Sequence, residues 1–449
     1  MSGAWRQGVA PACLLLCLLL GGSGQGVWRN LVLQLVGLGI IAWAALEPRG
    51  EAAARPVRQL GALVALTAAL VAVQLLPLPP EVWTRLPGRE VAADGYRLMG
   101  IPLPWLPLSL KPYATGAALL ALVPPLAMVT AVVRLQAWRS DWCLAALAAG
   151  VAGNVALGVA QVSGGGPYLY PIHNEGVASG FFANANHLGI FLVATVPVLA
   201  LTGVRRRSKD GSDRWPRLAL AGAGVLLACA GMALTGSLAV LVLAVPVLAG
   251  SLALVLRRGL VSRGWLWGGV AVLAALAGAA ALWSPGLSAA NQVSVESRQD
   301  IHARTVEAIR DYLPAGSGVG SFEKVYPLYE DGAAVDRWYV NRAHSDYLEV
   351  ALETGLPGML LMAAFLWWWA RRTVALWRTP DMPGIALAAT IGSGSILAHS
   401  LVDYPLRTAA MAALFGLCVG VMAQPRRQAV AAEPGQARPA RHLALEASA

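Results

Sequence analysis

HLGIFLVATVPVLALTGVRRRSKDGSDRWPRLALAGAGVLLACAGMA, His187 to Ala233, decides the fold. Two apolar runs, 187–204 and 217–233, each approach the length that crosses a bilayer as a helix. The connector between them, RRRSKDGSDRWPR, holds nearly all the charge. A soluble helix would lay its charges along one face; here they are confined to the turn. Working outward, the same alternation recurs along the whole chain, with apolar runs near 9–24, 28–46, 59–77, 113–134, 142–162, 236–256, 265–283, 357–376, 384–402 and 406–423. The chain is 57% hydrophobic and 13% charged, with a mean hydropathy of +0.58, which excludes an ordinary soluble domain. The expected fold is all-α, a polytopic membrane protein of about twelve transmembrane helices. The first run also has the length of a signal-peptide h-region.

Arginine and lysine orient the bundle. With the N-terminus inside, one side collects Arg49, Arg55, Arg58, Arg134, Arg139, the run from Arg205, Arg257, Arg258, Arg263, Arg371, Arg372, Arg378 and the tail from Arg426. The connector 163–186 on the other side has neither Lys nor Arg. This asymmetry obeys the positive-inside rule. The net charge of +10 is therefore a topology signal, and no nucleic-acid partner is expected. Five cysteines lie in apolar runs with no pairing or metal-ligand spacing. Asp, Glu, Lys and Arg are scarce in the centres of the runs, unlike in ion-coupled transporters. No internal repeat suggests an inverted-repeat transporter.

Polar residues gather instead at the outer ends: Asn184, Asn186, His187, Ser237, His399, Asp403 and Arg407. Two outer loops are too long to be plain connectors. Leu78–Lys111 is rich in proline and tryptophan and is expected at the membrane interface. The other, 284–356, follows a bundle of about nine spans over 1–283 and precedes the C-terminal spans over 357–423. The Ala/Pro/Arg-rich tail, 424–449, is expected from its composition to be disordered, and from its arginines to be cytoplasmic.

Within the large loop, Ser294–Leu313 reads as a helix with Ile301, Thr305, Val306, Ala308, Ile309, Tyr312 and Leu313 on one stripe. Arg298 and His302 fall inside that stripe, flanked by Arg304 and Arg310. A cation on an apolar face needs a partner, either an anionic ligand or a headgroup or carboxylate reached by snorkelling. Gly316, Gly318 and Gly320 alternate in AGSGVGSF, a pattern that either aims backbone N–H groups at phosphate or makes a plain turn. NRAHSDYLEVALETGLPG, Asn341–Gly358, then places His344 before Asp346-x-x-Glu349, which matches a capping box. Gly355 and Pro357-Gly358 are expected to end that helix. Extended back to His344, the helix sets the ring with Tyr347, Leu348 and Ala351, and turns Asp346, Glu349 and Glu353 outward to solvent. Such a histidine is either structural or a base for a hydroxyl.

These residues carry a resemblance. His344-Ser345, nine residues, Gly355, two residues and Gly358 match the ligase motif of the O-antigen ligase and O-antigen polymerase superfamily, membrane glycosyltransferases acting on lipid-linked glycans. SGFFANANH (Ser179–His187) and HSLVDYPLR (His399–Arg407) also look like blocks from bacterial members. The resemblance runs from about Ser163 onward. It implies about twelve spans, one large periplasmic loop that is partly helical and carries the active site, and a bacterial inner-membrane location with both termini cytoplasmic.

Carried over, His344 would be the base on the acceptor hydroxyl and Arg298 the ligand of the donor diphosphate. His302, Arg304, Arg342, Asn186, His187, Asp403 and Arg407 are further substrate-binding candidates. The implied reaction moves a glycan from a polyprenyl-diphosphate carrier to a lipid or glycan hydroxyl with inversion, in cell-surface polysaccharide biosynthesis. No metal and no cofactor are expected; the partners are the donor, the acceptor and membrane lipids. Three positions depart from the family pattern. Arg298 is followed by His302 where Arg-x3-Leu is usual, Thr235-Gly236-Ser237-Leu238 lacks a common Ser-Arg, and Asn184-Ala185-Asn186-His187 replaces Asn-Arg-Asn-His. Arg304, Arg342 and Arg407 are candidates to compensate. The alternatives are a lipid-linked glycan flippase or transporter, and a family member that binds the carrier without turnover.

Overall fold

Leucine, valine and alanine runs with no polar stripe form helices that are buried or lipid-facing all round, and such helices make up most of this chain. The computed structural model describes residues 3–48, 53–137, 141–204, 214–257, 285–332, 340–380 and 382–424. The basic connector 205–213, the expected ninth span at 265–283 and the tail from 425 lie outside the described residues. The helices α1 (Gly3–Leu20), α2 (Val27–Leu46) and α3 (Arg55–Val73) come first. The outer segment after α3 pairs β1 (Pro77–Leu78) antiparallel with β2 (Leu106–Pro107) and holds two short helices, α4 (Pro80–Trp83) and α5 (Glu90–Leu98). Next come α6 (Pro112–Ala121), α7 (Val123–Val133), α8 (Asp141–Val162), α9 (Ala185–Ala200), α10 (Arg214–Leu234) and α11 (Leu238–Arg257). The large loop supplies α12 (Pro285–Tyr312) and α13 (Phe322–Val325), and α14 (Asp346–Arg378), α15 (Gly384–His399) and α16 (Ala409–Ala423) follow.

Among the described residues, seven segments are long and apolar enough to cross a membrane: α2, α3, α6 with α7, α8, most of α10, α11 and α14. Four shorter apolar helices, within α1 and at α9, α15 and α16, fall where the sequence places further spans. The protein is an integral membrane protein. Its axis is α9, buried along nearly its whole length and packed by α10, α11 and α15. Small residues allow this approach: a Cβ on Gly392 of α15 would stand 2.7 Å from the Ala194 carbonyl oxygen of α9. Leu14, Cys17 and Leu18 of α1 are buried in the same core.

The outer layer has its own core of Ile301, Ala308, Ile309, Tyr312, Phe322 and Leu352. Most of the expected α12 stripe is therefore buried, but Val306 is exposed, because α12 meets α14 on a narrower face than the pattern suggests. The alternating glycines make a turn. All three have positive φ, and the N–H groups from Gly316 to Gly320 are donated within the protein, to Tyr312 O, Leu352 O, Glu353 O, Gln74 Oε1 and Glu353 Oε1 in turn. None of these donors is left for a phosphate. In the Leu78–Lys111 segment, Val91, Leu98, Met99 and Trp105 are exposed, while the Arg89 guanidinium is buried and donates to the Leu108 and Gly316 carbonyls.

α14 differs from expectation at both ends. Its N-cap is Ser345, whose hydroxyl accepts from Leu348 N–H, so Asp346 is the first helical residue and not the cap. Gly355 bends the helix without ending it: at φ 59° it admits the close approach of Pro314, whose carbonyl accepts from Leu356 N–H at 2.9 Å. Any other residue there would be strained and would collide with that carbonyl. The helix then runs on to Arg378, a length of about 50 Å at 1.5 Å per residue.

That length sets a topology test. Lys324, beside the outer end of α14, and Arg378, at its far end, are both exposed. In a background without the native cysteines, Lys324→Cys in intact spheroplasts is expected to react with a membrane-impermeant maleimide, and Arg378→Cys only after permeabilisation. Equal reactivity at the two positions would mean that α14 does not cross the bilayer.

Candidate functional site

The site forms where the start of α14 docks on the turn between α15 and α16. Asp346 N–H donates to the Ser400 carbonyl at 3.0 Å and to that of Asp403 at 3.3 Å, and Ser400 Oγ donates back to Asp346 Oδ2 at 2.8 Å. Tyr347 Oη reaches the Leu397 carbonyl at 3.0 Å. Two groups of side chains meet at this seam.

The first is a cluster of carboxylates on guanidinium. Asp346, Glu349 and Glu353 share one face of α14 through i, i+3 and i+7 spacing. That face points inward. Arg407, from the turn before α16, lies 3.1 Å from Glu349 Oε2, 3.2 Å from Glu353 Oε2 and 3.6 Å from Asp346 Oδ1. Arg342 adds a second guanidinium at 3.1 Å from Glu349 Oε2. The remaining carboxylate oxygens accept N–H from Ala343 at 3.0 Å and from Gly320 at 2.8 Å. Glu349 and Glu353 are fully buried. Burial alone would lower the Arg407 guanidinium, but the three carboxylates outweigh it and raise it well above its ordinary value. The expectation that these acids solvate an outward helix face is thus corrected: buried carboxylates need a cation, and Arg407 supplies it.

The second group is a carboxylate ringed by imidazoles. Asp403 is 1% exposed. Its Oδ1 lies 3.6 Å from His344 Nδ1 and 4.0 Å from His187 Nε2, and its Oδ2 lies 3.8 Å from His399 Nε2. Tyr404 N–H donates to Oδ1 at 2.9 Å. Burial would raise the Asp403 carboxyl, but the three facing imidazoles hold it well below the usual carboxylate range. The Tyr404 ring stands edge-on to both His187 and His344, with centroids 5.2 Å away in each case. Burial pushes its phenol up to about 12, so it stays protonated.

His344 precedes the N-cap at φ 49°, a left-handed conformation that non-glycine residues rarely adopt. It lies outside α14, so its ring does not join Tyr347, Leu348 and Ala351 on a helix face. The strained backbone turns Nδ1 toward buried Asp403 while 26% of the side chain stays exposed. His302 Nε2 approaches the His344 carbonyl at 3.2 Å, and because a carbonyl only accepts, that nitrogen carries the proton. Burial lowers His302, so the neutral ring is the form that braces His344.

Arg298 is partly exposed and makes no hydrogen bond or ion pair among the described residues. It lies within electrostatic reach of His302 and His399. Arg304 is engaged elsewhere, by Asp300 at 3.0 Å and the Tyr329 carbonyl at 2.8 Å. Asn186 follows the N-cap Asn184 in the first turn of α9, and its N–H donates to Asn184 Oδ1. The structure thus gathers His187, His344, Asp403, Arg342 and Arg407 at one seam with His302 and Arg298 beside it. His399, Tyr404 and the three acids of α14 were missing from the candidate set. An acidic i, i+3, i+7 stripe leading into an apolar run was the signal for the acids, since it demands a buried cation.

A chemical reading follows from the geometry. A histidine whose Nδ1 faces an ionised carboxylate keeps its proton there, which leaves Nε2 as a free base at the rim. A nearby guanidinium with no hydrogen-bond or ion-pair partner among the described residues suits an anion. Residues 223–363 match the family model described as O-Antigen ligase; the match takes in Arg298, His302 and His344, and the turn bearing Asp403 and Arg407 lies beyond it. No curated protein matches the chain.

Stability should follow the first cluster. Arg407→Leu leaves three buried carboxylates with one guanidinium and is expected to cost about 3–5 kcal/mol. Glu349→Gln, which disturbs bonds to Arg342, Arg407 and Ala343, is expected to cost about 1–3 kcal/mol. Arg304→Ala, at a solvent-screened ion pair, should leave stability nearly unchanged. Thermal unfolding in detergent, followed by tryptophan fluorescence, measures the order; an Arg407→Leu protein as stable as the wild type contradicts the pairing described above.

Proposed function

We propose that the chain transfers a glycan from a polyprenyl-diphosphate carrier to an acceptor hydroxyl at the outer face of the bacterial inner membrane, a reading supported by the match of residues 223–363 to the O-Antigen ligase model. One observation carries this reading: His344 sits at the rim of the seam with Nδ1 turned to Asp403, while Arg298 beside it has no hydrogen-bond or ion-pair partner among the described residues.

In this reading Arg298 binds the diphosphate of the carrier and stabilises the charge that grows on it as the glycosidic C–O bond breaks. His344 Nε2 removes the proton from the acceptor hydroxyl as its oxygen attacks the anomeric carbon from the opposite side, so the configuration inverts. The diphosphate leaves with the bonding pair. The new imidazolium is stabilised by Asp403 through Nδ1. Arg342 and Arg407 hold the frame in place of binding substrate, because their guanidinium groups already serve Glu349, Glu353 and Asp346. Arg298 therefore takes the role that several arginines share in the family pattern. The prenyl chain is assigned to an apolar cavity of ≈ 530 Å³ beside the α14 bend, lined by Leu70, Val73, Leu108, Leu356 and Leu360. The acceptor is a lipid-anchored or polymeric glycan.

The test is transfer by purified protein in nanodiscs with a lipid-linked oligosaccharide donor. His344→Ala is expected to fold and bind donor while losing roughly 10²–10⁴ in kcat. Arg298→Lys keeps the charge but loses the planar fork, so KM for the donor should rise; Arg310→Lys, at an exposed position of α12, should be close to neutral. Near-normal transfer by His344→Ala would sink the base assignment. Equal tolerance at positions 298 and 310 would leave Arg298 as a headgroup-snorkelling residue.

A further inference from the structure

His187 and His399 come from different helices, are almost fully buried, and have no hydrogen-bond partner on any ring nitrogen among the described residues. Their positions are not those of ordinary core histidines. Buried imidazole nitrogens normally find partners, and exceptions gather where function requires them. Both rings present Nε2 to the same carboxylate, at 4.0 Å and 3.8 Å, and approach different oxygens of it. Asp403 Oδ2 likewise has no other partner.

A carboxylate accepts about four hydrogen bonds. The groups that face Asp403 can supply four donors: Tyr404 N–H, His344 Nδ1–H, His187 Nε2–H and His399 Nε2–H. The guanidinium groups of Arg342 and Arg298 lie within electrostatic reach of His187 and His399 respectively. Neutral rings that each donate one proton are the form that fits between two cations and one anion. At 3.6–4.0 Å the imidazole contacts exceed hydrogen-bond length, and drawing them in by up to about 1 Å completes the set, as unliganded sites tighten when loaded.

We propose that His187 and His399 are positioning residues, which donate from Nε2 to Asp403 and so keep its carboxylate ionised and aligned on His344 Nδ1. The inference deepens the transferase reading and rests on it for its kinetic consequence. They touch neither donor nor acceptor. Their effect reaches the reaction only through the orientation and proton placement of His344. Outer-shell partners of metal-bound histidines matter by about 10–100-fold, and an effect of that order is expected from partners that orient His344 in the same way.

The test has two arms. The chain has 6 histidines, few enough to resolve one by one. Nitrogen-15 solid-state NMR on histidine-labelled protein in lipid, assigned through His→Gln variants, reads which ring nitrogen carries each proton. Expected are Nε2–H for His187 and His399, and Nδ1–H for His344. The second arm measures transfer kinetics. His187→Leu and His399→Leu should each lower kcat by about 10–100-fold with donor KM unchanged, whereas the Gln variants, which keep an N–H donor near the Nε2 position, should retain most activity. The NMR arm needs no substrate, so it stands even if the protein proves to transfer nothing. Nδ1–H rings at 187 and 399 would overturn the proposal, as would Leu variants with normal kcat and an unchanged His344. Should the Leu variants not fold, the wild-type spectra and the Gln variants decide: intact Nε2–H donors with active Gln variants support the proposal, and any other wild-type tautomer ends it.

Discussion

One guanidinium between three buried carboxylates holds the candidate site together. Arg407 belongs to the short turn before α16, while Asp346, Glu349 and Glu353 belong to the first turns of α14. Without the cation those carboxylates would be buried beside one another with only Arg342 to offset them, a costly arrangement away from water. With it, the outer layer and the membrane bundle are tied at one point. Everything near that point inherits its geometry: the Ser345 cap, the Asp346–Ser400 exchange of hydrogen bonds, and the Glu353 carboxylate that organises the glycine turn.

Rigidity there has a chemical use. His344 occupies a conformation that costs on the order of 1–3 kcal/mol and persists only when its surroundings impose it. They do so here: Ala343 N–H is held by Glu349, His344 O faces His302, and Ser345 caps the helix. A flexible loop would let the ring swing; this one points Nδ1 at Asp403. The interactions that stabilise the fold and those that suit a proton acceptor are therefore adjacent but separate, one centred on Arg407 and the other on Asp403.

The helical membrane character was legible because the length of an apolar run is a one-dimensional property. Among the described residues, apolar runs of the required length sit where helices form, and the His344-Ser345 motif could be read as a string. The partners of that motif could not. Asp346, Glu349 and Glu353 look like a solvated stripe until Arg407 is brought beside them from another turn. His187, His344 and His399 belong to three separate segments, so no spacing rule joins them to Asp403. The cap shifted from Asp346 to Ser345 because a hydroxyl and a carboxylate at adjacent positions are equal competitors in a pattern, and only backbone geometry chooses. Glycine likewise had two readings: at Gly355 it bends a helix that local rules would end, since the tertiary contact with Pro314 compensates for the break.

The central claim is that Arg298 and His344 form the two ends of one reaction centre, with the anion at the arginine and the base at the histidine. Cryo-electron microscopy of the protein in nanodiscs with a polyprenyl diphosphate tests it most directly. The diphosphate is expected against Arg298 beside His302, with His344 Nε2 open toward the position the sugar would occupy. A diphosphate held instead by Arg304, or bound near Arg371 and Arg378 at the far end of α14, would contradict the account.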